Sequence, residues 1–239
     1  MLSSRDRLIV ALDLPSATQA RQVVQTLGAA VTAYKIGKQL FTAEGPWIVR
    51  DLVSSGRKVF LDLKFHDIPN TVGAAVKSAA ELGVSMLTVH ASGGSKMLRA
   101  AAEAANQSTS KPTILAVTVL TSMADSDLQE IGVAGDVLTQ VLRLGSLARG
   151  AGCQGLVASA REAHELRREL GEGFEIVTPG VRPAGVAAGD QARVLTPAEA
   201  IAAGATRLVV GRPIIEAENQ PRAAQQILDE IEQALAIGA

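Results

Sequence analysis

Five times along the chain a stretch with helical patterning stops at a glycine and gives way at once to a short apolar run, at Gly28, Gly56, Gly83, Gly152 and Gly204. Glycine takes the left-handed conformation at a helix C-terminus without steric cost, so this spelling marks a helix stop before a strand. Strands linked through helices run parallel, and right-handed crossovers wind successive units in one direction. Eight apolar runs read as strands: residues 7–13, 32–38, 58–64, 86–90, 112–121, 155–158, 174–178 and 207–210. Helical stretches separate them, among them 69–82, 98–105, 137–149, 161–170 and 197–203, with short 125–131 as an extra helix and amphipathic 223–235 closing the chain. Eight βα units in 239 residues predict an α/β chain closed as a (β/α)₈ TIM barrel, one domain over residues 1–239. A doubly wound open sheet is the alternative, but no G-x-G-x-x-G follows the first strand.

Composition suits that frame. Apolar residues make up 47% of the chain and aromatics only 3%, so packing must come from Ala, Val, Leu and Ile. A formal net charge of -1 supplies no basic field for nucleic acid, and no apolar run approaches the roughly 20 residues of a membrane span. The N-terminus lacks the layout of a signal peptide, and Cys153 stands alone, so a cytoplasmic setting without disulfides is expected. Cys153 itself reads as a small buried residue rather than a nucleophile.

The third strand ends in Asp62-Leu63-Lys64-Phe65-His66-Asp67-Ile68-Pro69-Asn70-Thr71. Alternation along a strand puts Val59, Leu61 and Leu63 on one face and Phe60, Asp62 and Lys64 on the other. Two residues of strand span roughly 6.6 Å, close enough for the carboxylate and the ammonium to interact strongly where water is scarce. Pro69 suits the first turn of a helix, leaving Asp67 at the strand-to-helix corner, where it could also be an ordinary cap. The first strand places Ile9, Ala11 and Asp13 on one face, the second Ala33, Lys35 and Gly37.

In a barrel, Asp13, Lys35, Asp62, Lys64, Asp67, Thr121, Arg182 and Arg212 all gather at the rim formed by the C-terminal strand ends, where such folds keep their chemistry. Arg182 and Gly211-Arg212 fall in the loops after strands seven and eight, a common phosphate site in these barrels. The Gly- and Ala-rich passage from 182 to about 196 exceeds the usual 2–6 residues of a βα loop and reads as a lid or a disordered segment. His90 and Ser159 also end strands and read as supporting residues.

Taken together, Asp62-x-Lys64-x-x-Asp67, Asp13, Tyr34-Lys35-Ile36-Gly37, Thr178-Pro179-Gly180-Val181-Arg182 and Val210-Gly211-Arg212-Pro213 resemble orotidine 5′-phosphate decarboxylase over nearly the whole chain. The resemblance implies a homodimer that converts orotidine monophosphate to UMP and CO₂ without metal or cofactor. It also implies roles: Lys64 as proton donor, Asp62 beside it, and Asp67 contributed from the partner subunit. Asp13 and Lys35 would meet the ribose, with Thr71 a ribose contact from the partner. Thr121 would meet the pyrimidine, and Arg182, Gln191, Gly211 and Arg212 the phosphate. Two rivals stand beside it. A Mg²⁺-dependent sugar-phosphate decarboxylase such as 3-keto-gulonate-6-phosphate decarboxylase resembles the Asp-x-Lys-x-x-Asp motif, but it carries an acidic metal ligand on strand two, where this chain has Lys35. A catalytically idle phosphate-binding barrel would have little use for alternating acids and lysines.

Overall fold

A computed structural model describes residues 2–183 and 195–237. In chain order the elements are α1 (Ser4–Arg7), β1 (Leu8–Ala11), α2 (Ala17–Leu27), β2 (Ala33–Gly37), α3 (Lys38–Glu44), α4 (Trp47–Ser54), β3 (Lys58–Phe65), α5 (Pro69–Ala80) and β4 (Met86–His90). They continue with α6 (Gly94–Gln107), β5 (Thr113–Val117), α7 (Asp125–Glu130), α8 (Val137–Gly150), β6 (Gly155–Val157), α9 (Ala163–Leu170), β7 (Glu175–Pro179), α10 (Pro197–Ala202), β8 (Arg207–Val210), α11 (Arg212–Ile215) and α12 (Gln220–Ile237). All eight strands pair in parallel and in sequence order, and β8 returns to β1 to close the barrel. The expected fold is the observed one.

The five glycines that announced the repeat all have positive φ, from 53° at Gly28 to 103° at Gly204, as helix stops require. Pro69 does open α5. Strands β1, β2, β5 and β6 are shorter than their apolar runs. β1 stops at Ala11 and β5 at Val117, so Asp13 and Thr121 stand on the loops beyond, and Lys38 begins α3 instead of ending β2. Helices α1 and α3 carry no apolar period long enough to be read in advance, being four and seven residues long.

Two cores result from the alternation of side chains. The larger lies between the sheet and the surrounding helices and includes Leu8, Val10, Tyr34, Ile36, Leu61, Leu87 and Ile176. The smaller fills the barrel with Ile9, Ala11, Ala33, Phe60, Met86, Leu115, Val177 and Val209, and on the first three strands these are residues of the faces assigned from period two. Gly155 lies in that interior layer because a β-carbon there would come within 2.6 Å of the Glu175 carbonyl oxygen and 2.8 Å of Leu115 Cδ2. The N-terminal mouth is pinned by ion pairs, Arg207 Nε to Glu175 Oε2 at 2.7 Å and Lys58 Nζ to Asp6 Oδ1 at 3.0 Å. Chemistry is left to the opposite mouth. Among the described residues no helix is long and apolar enough to cross a membrane.

Candidate active site

The C-terminal mouth holds a cleft of about 470 Å³ whose floor is Phe60, Val157 and Val209 of the interior core. Eight of the eleven residues singled out from the sequence line it: Asp13, Lys35, Asp62, Lys64, Thr121, Arg182, Gly211 and Arg212. Asp67 and Thr71 stand outside it on exposed backbone at the corner into α5. Gln191 lies outside the described residues, as does most of the long passage after β7.

Four charges of alternating sign cross the cleft in a row. Lys35 Nζ donates to Asp13 Oδ1 at 2.7 Å and stands 3.8 Å from Asp62 Oδ2, and Lys64 Nζ donates to both Asp62 oxygens at 2.8 Å. The middle of the row is the most enclosed part, and Lys64 at its far end is 25% exposed. The Asp13 side chain is 52% exposed, whereas Lys35 and Asp62 keep only 11% and 13%. Burial pushes the Asp62 carboxyl up, but Lys64, Lys35 and the hydrogen bonds from Lys64 and Thr88 outweigh it and hold the group below its ordinary 3.8. Asp62 is therefore an anion at neutral pH. Removing one member of so enclosed a row would strand the others without their counter-charge.

The backbone that carries this row is irregular. Lys64 has φ of 55°, the left-handed region that a side chain rarely adopts. The β3–β4 register slips at the same place, between Leu61 and Phe65. Thr88, fully buried on β4, accepts a hydrogen bond from the Lys64 N–H at 2.9 Å and donates to Asp62 Oδ1 at 2.9 Å. The sequence reading passed over Thr88, although Met86, Thr88 and His90 alternate onto the interior face and would have flagged it.

Asp67 is not a helix cap. Ile68 holds the N-cap position of α5, and Asp67 Oδ1 accepts from the Ile68 N–H, one residue on, at 2.6 Å. Beside it Ile68 is 66% exposed, an apolar side chain left in water. His90 packs its ring 5.5 Å from that of His66, and burial, with the nearby His66, Lys64 and Lys38, keeps it below the usual histidine range. Arg182 is buried, its N–H donating to the Leu195 carbonyl at 3.1 Å and its Nη1 to the Val181 carbonyl at 3.2 Å. Arg212 begins α11 directly after Gly211. Cys153 is buried, and its apolar surroundings push the thiol up to about 12, in line with a packing role.

A family model described as Orotidine 5′-phosphate decarboxylase / HUMPS family matches residues 6–227. The chain belongs to this family. It is 55% identical over 221 residues to orotidine 5′-phosphate decarboxylase of Alkalilimnicola ehrlichii, an alignment covering 92% of this chain and 94% of that one. To the enzyme of the same name from Alcanivorax borkumensis it is 52% identical over 92% of this chain and 96% of the relative. The solved structure of orotidine 5′-phosphate decarboxylase from Lactobacillus acidophilus superposes with a TM-score of 0.84 at 37% identity, covering 94% of this chain and 98% of that one. That from Pyrococcus horikoshii OT3 gives 0.75 at 25% identity, with 94% and 99% covered. Membership of the orotidine 5′-phosphate decarboxylase / HUMPS family makes the chain an enzyme, a carboxy-lyase, with the cleft at the barrel mouth as its candidate active site.

Proposed function

We propose that the chain decarboxylates orotidine 5′-monophosphate to UMP and CO₂ in de novo pyrimidine synthesis, as a cytoplasmic homodimer needing no cofactor. The observation that carries this reading is the row Asp13, Lys35, Asp62 and Lys64 across the cleft. Breaking the bond between ring C6 and its carboxylate releases CO₂ and leaves the electron pair on C6. A cation fixed beside that carbon stabilises the developing charge, and Lys64 Nζ is that cation. It then donates its proton to C6 and regains one from water. Asp62 holds the ammonium in place and lies near the departing carboxylate, where like charges raise the energy of the bound substrate.

The remaining roles are those the resemblance implies. Lys35 and Asp13 meet the ribose hydroxyls, and Thr121 meets the pyrimidine. Arg182, Arg212 and Gly211, with Gln191, take the phosphate, far from the bond that breaks, so that binding there contributes to the chemical step. Asp67 and Thr71 reach the site of the partner subunit. Their exposure, with Ile68 bare beside them, supports a second chain at this corner.

A Mg²⁺-dependent sugar-phosphate decarboxylase is disfavoured by the same row. A cation bound at Asp62 would meet the ammonium of Lys64 at 2.8 Å and of Lys35 at 3.8 Å from the carboxylate. The test is loss of orotidine monophosphate absorbance in excess chelator. Undiminished turnover is expected; no turnover of this nucleotide, with Mg²⁺-dependent turnover of a keto-sugar phosphate, would overturn the reading.

A further inference from the structure

Along the irregular part of β3 the strand advances from Leu61 to Phe65 while its partner β4 advances only from Leu87 to Val89. The surplus residues lose their ladder partners, and an unmatched backbone N–H inside a barrel is costly. Lys64 is one of them, turned to φ of 55°, and the acceptor for its N–H is a side chain, the hydroxyl of Thr88 at 2.9 Å. A hydroxyl has one hydrogen to give. With Lys64 N–H on the oxygen, that hydrogen goes to Asp62 Oδ1, also at 2.9 Å. Asp62 in turn takes both hydrogen bonds from Lys64 Nζ. One fully buried hydroxyl thus fixes the backbone from which the ammonium projects and the carboxylate that aims it.

We infer that Thr88 is a positioning residue for decarboxylation, its hydroxyl locking Lys64 and Asp62 into one rigid unit. The role is separate from filling space, because a threonine at this place on the interior face could be replaced by valine at equal volume. Rigid placement of the reacting group is where loss of a supporting contact costs rate, and a shift of about 1 Å is enough for a hundredfold effect. The hydrogen bond to Asp62 also helps keep that carboxyl ionised, so its loss raises the pKa and moves the acid limb of the rate profile to higher pH.

The inference rests on the decarboxylase reading, and wild-type turnover of orotidine monophosphate in the same assay separates the two: its absence overturns that reading, not the hydrogen-bond argument. Given wild-type turnover, Thr88→Val is expected to lower kcat about 10- to 100-fold with KM and UMP affinity changed by less than about threefold. Its acid limb should move up, whereas Thr88→Ser should restore both kcat and limb. A Thr88→Val enzyme with wild-type kcat and acid limb overturns the proposal, as does one whose kcat falls without a shift in the limb and without rescue by serine. Should Thr88→Val lose its fold, Thr88→Ala supplies the same readouts. Failure of both to fold beside a fully active Thr88→Ser would assign the hydroxyl to the fold and overturn the positioning role.

Discussion

A β-carbon on Gly37 would lie 2.9 Å from Asp13 Oδ1 and 2.9 Å from Lys35 Nζ, the two atoms that meet at the outer end of the charge row. Both are tips of flexible side chains, and φ of -94° at Gly37 suits any residue, so alanine there displaces the pair without straining the backbone. Gly37→Ala is therefore expected to melt within about 2 °C of wild type yet lose about 10- to 100-fold in kcat/KM. A circular-dichroism melt and the absorbance assay check this, and unchanged kinetics would show that the pair has no part in the site. At this scale the four charges were legible because period two placed them on one face beyond the interior core. The same alternation puts Thr88 on the interior face, but its bracing role was not legible. Asp62-Leu63-Lys64 reads as regular alternation, and the slip that turns Lys64 left-handed exists only in the pairing of β3 with β4.

At the scale of elements, the apolar runs named every strand but overstated two of the ends that matter. Hydrophobicity continues through 112–121, while the strand ends at Val117 and Thr118 makes the last bonds to the Val157 carbonyl. Asp13 and Thr121 gain from this, standing on loops where they can reach into the cleft. The loops after β7 and β8 bring the buried Arg182 and the more exposed Arg212 to one side of it, which is the arrangement a phosphate needs. A charge-assisted contact is worth about 1.5–3 kcal/mol, so Arg212→Ala should lower kcat/KM for orotidine monophosphate about 10- to 100-fold. Turnover of the nucleoside, which has no phosphate, should scarcely change. Equal losses on both substrates would move Arg212 from the phosphate to the ring site or the fold.

For the whole molecule, eight apolar runs separated by helices, five of them announced by a glycine, pointed to a closed barrel, and the lack of G-x-G-x-x-G after the first strand weighed against an open sheet. A site proposed to be shared between two chains is tested only with two chains. Asp67 and Thr71 belong to the same stretch as Lys64, yet neither lines the cleft that Lys64 lines, and Ile68 between them is 66% exposed. If two chains share their sites, the Lys64→Ala and Asp67→Ala proteins should each be inactive while folded. Mixed and allowed to exchange subunits, they should form hybrids in which one site carries both defects and the other carries neither. At equal mixing, activity should return to roughly a quarter of wild type, since half of the dimers are hybrids with one intact site each. That recovery is the result predicted here; hybrids that form and remain inactive, or a folded Lys64→Ala protein that still turns over orotidine monophosphate, would contradict it.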